Sequence, residues 1–279
     1  MKHSLHRELA TRAVKVVLVG AGGTGSRMLE HLMCLHRAML ALGHPAGLHV
    51  TLIDDDVVST ANIGRQAFYA CDVGAYKAST LINRANMAME FSLPWEARVE
   101  RLTTKSNVFQ SCDIAIGAVD NRAARLAILR GLENTSWGIR YYLDLGNRAS
   151  DGQVVLGEVT CRNQKGDLKN RLPHIGELFP ELIDKAKDKE DDGMPSCSLA
   201  EALEKQSLFI NPAVSLFASN LLWQLFTVGE IEHHGAFVNL ERMSVMPMAI
   251  DPEVWERFGV SRTGKRKKVQ QPSRLAEAV

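Results

Sequence analysis

Short apolar runs alternating with longer stretches of helical apolar spacing organise the first half of the chain. Val16 to Val19 is a continuous β-branched and apolar run that ends directly in glycines, the pattern of a strand buried on both faces. From Gly25 to about Ala41, Met28, Leu32, Leu35, Met39 and Leu42 form one apolar stripe. Leu29, Met33 and Leu40 add a second, so the helix predicted here is buried on two sides. Gly43, His44 and Pro45 end it, and His49 to Ile53 reads as the next strand, closing a β-α-β unit. The pattern then predicts a helix over Tyr76 to Met89, strands over Glu96 to Leu102 and Ile114 to Ala118, and a helix over Arg122 to Leu132. Alternation of this kind implies a mostly parallel sheet.

The second half departs from it. Tyr141 to Leu145 reads as a strand, and Gln153 to Thr160 alternates in the manner of a half-exposed one. Asn163 to Ser196 is polar, with KAKDKEDDG at its centre, which predicts a long loop with at most one short helix. Asn211 and Pro212 open an apolar helix over Ala213 to Phe226. Ala236 to Leu240 and Ser244 to Met248 form a predicted hairpin across Glu241 to Met243. The expected fold is therefore α/β, with helices on both faces of a mostly parallel sheet that antiparallel strands extend toward the C-terminus. One domain is expected over residues 1–255, and a basic, mobile tail over 256–279, where KRKK stands at Lys265 to Lys268.

Composition narrows the classes. In 279 residues, 33 Lys and Arg nearly cancel 32 Asp and Glu, so net charge points to neither nucleic acid nor an anionic membrane, and the short KRKK run reads as a solvated tail. No run approaches the roughly 18 apolar residues of a membrane span, and MKHSLHRELATRAVK lacks the apolar region of a secretory signal, so a cytoplasmic location is expected. Cys34, Cys71, Cys112, Cys161 and Cys197 are scattered and contain no C-x-x-C pair, which suits reduced thiols and gives no reason to expect a zinc ribbon.

The candidate chemistry starts where the first strand ends. Gly20, Gly22, Gly23 and Gly25 leave backbone N–H groups unobstructed at a helix N-terminus, where phosphate oxygens are favoured; a tight strand-to-helix turn has the same pattern. Asp54, at the end of the next strand, stands where a carboxylate accepts ribose hydroxyls, in NAD as in ATP. Asp56, Asn62, Arg65 and Gln66 follow it with polar and cationic groups for which hydride transfer has little need. Arg65 offers a planar fork to phosphate and Lys77 a compact charge, the means to meet negative charge spreading over phosphate oxygens during adenylation. Asp120 and Asn121 follow the strand over Ile114 to Ala118; Asp120 suits Mg²⁺ there, with a cap on the helix that starts near Arg122 as the rival reading.

GAGGTGS, the D-x-D-x-V-x-x-x-N-x-x-R-Q pattern from Asp54 to Gln66, VGAYKA around Lys77 and DN-x-x-x-R from Asp120 to Arg125 together resemble the ThiF/MoeB and ubiquitin-activating-enzyme superfamily. The likeness covers residues 15 to 125 most clearly, and is closest to ThiF-like proteins of plasmid-borne PRTRC gene clusters. It implies a Rossmann-like fold with the nucleotide half at residues 15–150 and a crossover loop, helix and hairpin at 151–255. It also implies a glycine loop that cradles phosphates, Asp54 on the ribose, Asn62, Arg65 and Lys77 on the ATP phosphates, and Mg²⁺ held by Asp120. The implied substrate is the C-terminal glycine carboxylate of a small ubiquitin-like or sulfur-carrier protein, and the implied assembly is a homodimer. PSCSLAEAL resembles the place of a cysteine that takes over the activated carboxyl, which makes Cys197 a catalytic candidate or else an inert thiol. The cysteine pairs that bind zinc in many relatives are absent, and Arg7 and Arg12 lie where relatives supply an arginine to a partner subunit. Two other readings fit part of the pattern: a nucleotide-binding scaffold without chemistry, and an NAD-dependent oxidoreductase.

Overall fold

A computed structural model describes residues 1–90, 95–136, 138–162, 171–184, 186 and 206–260. Its strands are β1 (His3–Ser4), β2 (Val14–Val19), β3 (Leu48–Ile53), β4 (Glu96–Arg98), β5 (Ile114–Gly117), β6 (Ile139–Asn147), β7 (Asp151–Thr160), β8 (Glu230–Ile231), β9 (His233–Asn239) and β10 (Ser244–Ala249). Its α-helices are α1 (Gly23–Ala41), α2 (Lys77–Ala88), α3 (Arg122–Glu133), α4 (Ile175–Leu178), α5 (Ile210–Val228) and α6 (Pro252–Arg257). Eight strands form one sheet in the order β10, β9, β7, β6, β5, β2, β3, β4. The pairs from β6 to β4 are all parallel, and those from β6 to β10 are all antiparallel. This is the expected α/β, Rossmann-like arrangement with its antiparallel C-terminal extension.

Two glycines of β7 report how the faces are covered. A β-carbon on Gly152 would meet Val214 of α5, whereas one on Gly157, an odd number of residues along, would meet His174 at the start of α4. The α5 face also carries α1, whose Met28 Sδ accepts from Ser219 Oγ, while Leu129 of α3 lies against Gly176 of α4 on the other. β7 is thus buried along most of its length, a correction to the half-exposed strand its alternation suggests, because polar-looking positions there face covering segments.

Other departures have local causes. β4 ends at Arg98, short of the expected Leu102, because the chain leaves the sheet edge and residues 100–104 cross toward the cavity described below. α5 starts at Ile210, so Pro212 sits inside the first turn, where a missing N–H costs no helical hydrogen bond. Within the polar segment 163–196, the described residues hold α4 and a 3₁₀ turn over Pro180–Leu182. Packing continues past residue 255: Trp255 of α6 is buried, and Phe258 meets Phe179 edge to face at 5.2 Å. The KRKK run lies outside the described residues.

α6 is anchored by a buried histidine. The Trp255 indole donates to His234 Nε2 at 2.9 Å, so Nδ1 carries the proton and donates to the Leu156 carbonyl at 2.8 Å. Burial pushes the His234 pKa down from 6.5 to about 4. The neutral ring's contribution is therefore complete above the unfolded value of 6.5 and is lost as pH falls toward 4. About 3 kcal/mol is at stake, at 1.36 kcal/mol per pKa unit. Urea unfolding measured from neutral to about pH 4 should show this loss, and His234→Gln should flatten that part of the profile; an identical profile in the variant would refute the assignment.

Candidate functional site

A cavity of about 990 Å³ opens along the carboxyl ends of β2, β3 and β5, where the strand order reverses between β2 and β5. Its floor is the turn from β2 into α1. Gly20 adopts φ +96°, and a β-carbon there would stand 2.5 Å from the Ala118 carbonyl oxygen. A β-carbon on Gly25 would stand 1.8 Å from the Gly20 carbonyl oxygen, so the helix start and the turn touch backbone to backbone. Gly22, the helix N-cap, has no capping side chain and nothing within 4 Å of where a β-carbon would lie. The first-turn N–H groups of α1 therefore have no side-chain cap and face a space suited to an anion.

One wall comes from the end of β3. The Asp54 carboxylate accepts from Ala21 N–H at 2.7 Å and Asp56 N–H at 2.9 Å, which ties the strand end to the glycine turn. Burial raises the Asp54 pKa, against the opposing pull of those two amides. Lys77 is buried at the first position of α2, and its ammonium donates to Asp56 at 2.8 Å. A buried cation at a helix N-terminus opposes the helix dipole, so folding stability alone gives no reason for it. The pair leaves Lys77 two further donors at the cavity wall.

The loop after β3 supplies a second wall. Asn62 Oδ1 accepts from Ser59 N–H at 2.9 Å and closes the 3₁₀ turn over Thr60–Asn62, which presents Arg65 and Gln66 to the cavity. Arg65 Nη1 donates to Gln206 Oε1 at 3.0 Å. Gln206 in turn donates to Asn147 Oδ1 at 2.8 Å, and Asn147 donates to Thr24 Oγ1 at 2.7 Å and to Asn211 Oδ1 at 2.8 Å. This chain joins the loop, the segment before α5, the end of β6 and the first turn of α1. Arg65 Nε and Gln66 Oε1 are buried with no hydrogen-bond partner among the described residues, groups that a polar ligand would satisfy.

The third side is the end of β5. Asn121, not Asp120, caps α3, accepting from Ala124 N–H at 2.8 Å. That decides between the two readings of Asp120 as far as capping goes: its carboxylate is exposed at the rim and takes only the Asn121 amide, at 3.2 Å, as a hydrogen-bond partner among the described residues. Behind it, Arg125 Nε and the Tyr142 hydroxyl both donate to Asp144 Oδ1, at 3.0 and 2.9 Å, in a buried group that fixes α3 against β6. Removing one partner from such a group leaves the other charge uncompensated.

The structure thus brings Gly20, Gly22, Gly23, Asp54, Asp56, Asn62, Arg65, Gln66, Lys77, Asp120 and Asn121 to one cavity, with Gly25 packed beneath its floor. Cys197 lies outside the described residues. Cys112 is buried, with its pKa pushed up to about 12 by burial, while Cys34 and Cys71 are exposed away from the cavity lining. Arg12 is engaged by Asp113, through two hydrogen bonds of 2.7 and 2.8 Å, just before β5 and so at the other end of the sheet from the cavity. Sequence reasoning assigned Thr24, Asn147, Gln206 and Asn211 no role in the site; the available signals were the place of Thr24 within GAGGTGS and of Asn147 at the carboxyl end of β6.

No helix among the described residues is long and apolar enough to cross a membrane. Among curated proteins, the chain is 30% identical over 124 residues to an adenylyltransferase and sulfurtransferase UBA4 of Yarrowia lipolytica, covering 43% of this chain and 28% of that protein. It is 33% identical over 118 residues to a SAMP-activating enzyme E1 of Haloferax volcanii, covering 40% and 38%. It is also 27% identical over 173 residues to an ATP-dependent ubiquitin transferase-like protein Cap2 of Escherichia coli, covering 58% and 28%. The chain thus spans less than two fifths of each of these relatives. The solved structure of PaaA has a similar fold, with a TM-score of 0.56 at 15% identity over 85% of this chain and 73% of that one. The model of the ThiF family matches residues 6–244, which include every element that lines the cavity, and the protein belongs to the ThiF family.

Proposed function

We propose that this protein uses Mg²⁺ and ATP to adenylate the C-terminal carboxylate of a small ubiquitin-like or sulfur-carrier-like protein ending in glycine. The observation that carries this reading is the meeting, in one cavity, of an uncapped glycine turn, a buried lysine and an aspartate released from capping. A hydride-transfer site has no evident use for the last two. The relatives named for adenylyltransferase and E1 activity support the same class.

The residues present fit the nucleotide. Amides of the turn from Gly20 to Gly25 hold phosphate oxygens, and Asp54, oriented by two backbone amides, accepts the ribose hydroxyls. Lys77 holds a fixed positive charge where the leaving group's negative charge grows, and Arg65 adds its planar fork once it exchanges Gln206 for phosphate. Asn62 holds the loop that carries Arg65. Asp120 fits Mg²⁺, a hard cation that takes one or two carboxylates along with water and phosphate oxygens. The ion, when bound, neutralises charge on those oxygens. The incoming carboxylate oxygen bonds the α-phosphorus as the bond to pyrophosphate breaks, and Cys197 is the proposed thiol for a later acyl transfer, in which a C–S bond forms and AMP leaves.

In this reading the adenylation domain acts as a cytoplasmic homodimer and is followed by a basic segment. Its long first helix, charged crossover segment and basic C-terminus support placing it beside ThiF-like proteins of PRTRC clusters. Exchange of labelled pyrophosphate into ATP, stimulated by a small Gly-terminated protein, is the expected activity. ATP binding without exchange in the presence of every candidate carrier would favour a scaffold instead. NAD binding tighter than Mg·ATP in calorimetry would overturn the nucleotide assignment.

A further inference from the structure

A second cluster of ligating side chains stands at the other end of the sheet. The N-terminal arm is held there by β1, which pairs His3 with Ile231 and Ser4 with Glu230, and by Leu5 N–H, which donates to the Gly229 carbonyl at 2.9 Å. The arm thereby lays His3 and His6 against Tyr141 of β6 and Glu158 of β7, residues directly opposite each other in the antiparallel register. Six residues separate Tyr141 from Asn147 at the cavity, about 20 Å along a strand.

The geometry is that of a small, convergent donor set. His6 Nε2 is 2.7 Å from Glu158 Oε1, and His3 Nδ1 is 3.8 Å from Glu158 Oε2. One donor atom from each of the three residues lies within 4.8 Å of the others. Donors around a tetrahedral zinc, at about 2.0–2.1 Å from the metal, stand about 3.4 Å apart, so side-chain shifts of about 1 Å bring the three to a common centre.

The surroundings hold these rings and this carboxylate from behind. The other nitrogen of His3, Nε2, is 2.7 Å from the Tyr141 hydroxyl, which orients Nδ1 toward Glu158. The His6 ring stacks on Tyr141 with centroids 4.5 Å apart. Glu158 Oε2 accepts from Leu172 N–H at 2.7 Å. Such outer hydrogen bonds are what fix the orientation of metal-binding histidines and carboxylates. Glu158 is buried, and among the described residues its carboxylate oxygens have only the two imidazoles as ionisable partners, while the nearby Arg171 guanidinium donates to its backbone carbonyl and pairs with Glu177.

We propose that His3, His6 and Glu158 bind one divalent zinc-class cation, clamping the N-terminal arm to the base of the sheet. Two imidazoles and one carboxylate suit zinc better than the all-oxygen preference of magnesium. Three protein ligands leave a fourth position for water, on the side where His6 is only half-buried. The site is independent of the nucleotide cavity and of the reaction proposed for it.

The test uses the full-length protein, stripped of metal by a chelator and titrated with Zn²⁺ in competition with a chromophoric chelator. One zinc per chain should bind, with a rise in the thermal midpoint. Co²⁺ in its place should give tetrahedral visible bands without the thiolate charge-transfer absorption that Cys34 or Cys71 would produce. His3→Ala and His6→Ala should each weaken zinc by at least about 10-fold, and Tyr141→Phe by about 10-fold through loss of the supporting hydroxyl. Asp120→Ala should leave the affinity unchanged. Glu158→Gln disturbs a buried bond, so the half-buried His6→Ala carries the test if that variant fails to fold. Zinc affinity unchanged in the double variant His3→Ala/His6→Ala, zinc lost in Asp120→Ala, or no stoichiometric zinc at micromolar free metal would each overturn the proposal.

Discussion

Asp120→Ala should cut carrier-stimulated exchange of pyrophosphate into ATP by about 10²–10³-fold, the range for losing one fixed group that meets developing charge. The helix behind it should survive the change, because Asn121 makes the cap and Arg125, Tyr142 and Asp144 hold α3 to β6. The thermal midpoint is therefore expected to stay near that of the wild type while the rate collapses. Asn121→Ala should differ: loss of the cap costs about 1 kcal/mol of stability, and exchange should fall far less than in Asp120→Ala because the Asp120 carboxylate stays in place and loses only the Asn121 amide. Exchange rate and thermal unfolding, measured on both variants, separate the two jobs. An Asp120→Ala protein that exchanges within about threefold of wild type, where a lost charge-stabilising group predicts far more, would remove Asp120 from the chemistry.

The neighbouring pair also shows what a sequence can and cannot resolve. Asp120 and Asn121 are both able to cap a helix, and only the path of the chain out of β5 decides that Asn121 points back at Ala124. Periodicity did better where a single element settles the matter: α1, α2, α3 and the strands β2, β3 and β5 fall within a few residues of their expected bounds. The glycine turn, Asp54 and Asp120 were legible as a set because a parallel sheet sends successive carboxyl ends to the same edge. The chain of amides from Gln206 through Asn147 to Asn211 was not, since Asn147 lies 59 residues before Gln206 and 64 before Asn211, and Asn211 reads in the sequence only as the start of a helix. The two-residue strands β1 and β8 are too short to show a period, and with them went any view of where the N-terminal arm lies.

Gly25→Ala should be the most damaging change to the floor of the cavity. Its new methyl carbon would stand 1.8 Å from the Gly20 carbonyl oxygen and 2.8 Å from the carbonyl carbon. Both are backbone atoms, so no side chain can rotate away, and the start of α1 must move off the turn. Alanine gains about 1 kcal/mol of helix propensity over glycine, but overpacking of this kind costs about 1–3 kcal/mol or more and displaces the first-turn amides as well. Gly22→Ala makes the decisive comparison. Its methyl group would enter open space at an ordinary φ of −75°, so the fold should lose no more than about 1 kcal/mol from the weaker cap. ATP affinity should nevertheless fall by about 10-fold or more, about 1.4 kcal/mol, because the methyl occupies the surface on which phosphate is proposed to rest. Thermal unfolding and calorimetry with Mg·ATP read both effects. Gly25→Ala with wild-type stability and affinity would refute the close contact, and Gly22→Ala with undiminished affinity would mean that phosphate rests elsewhere.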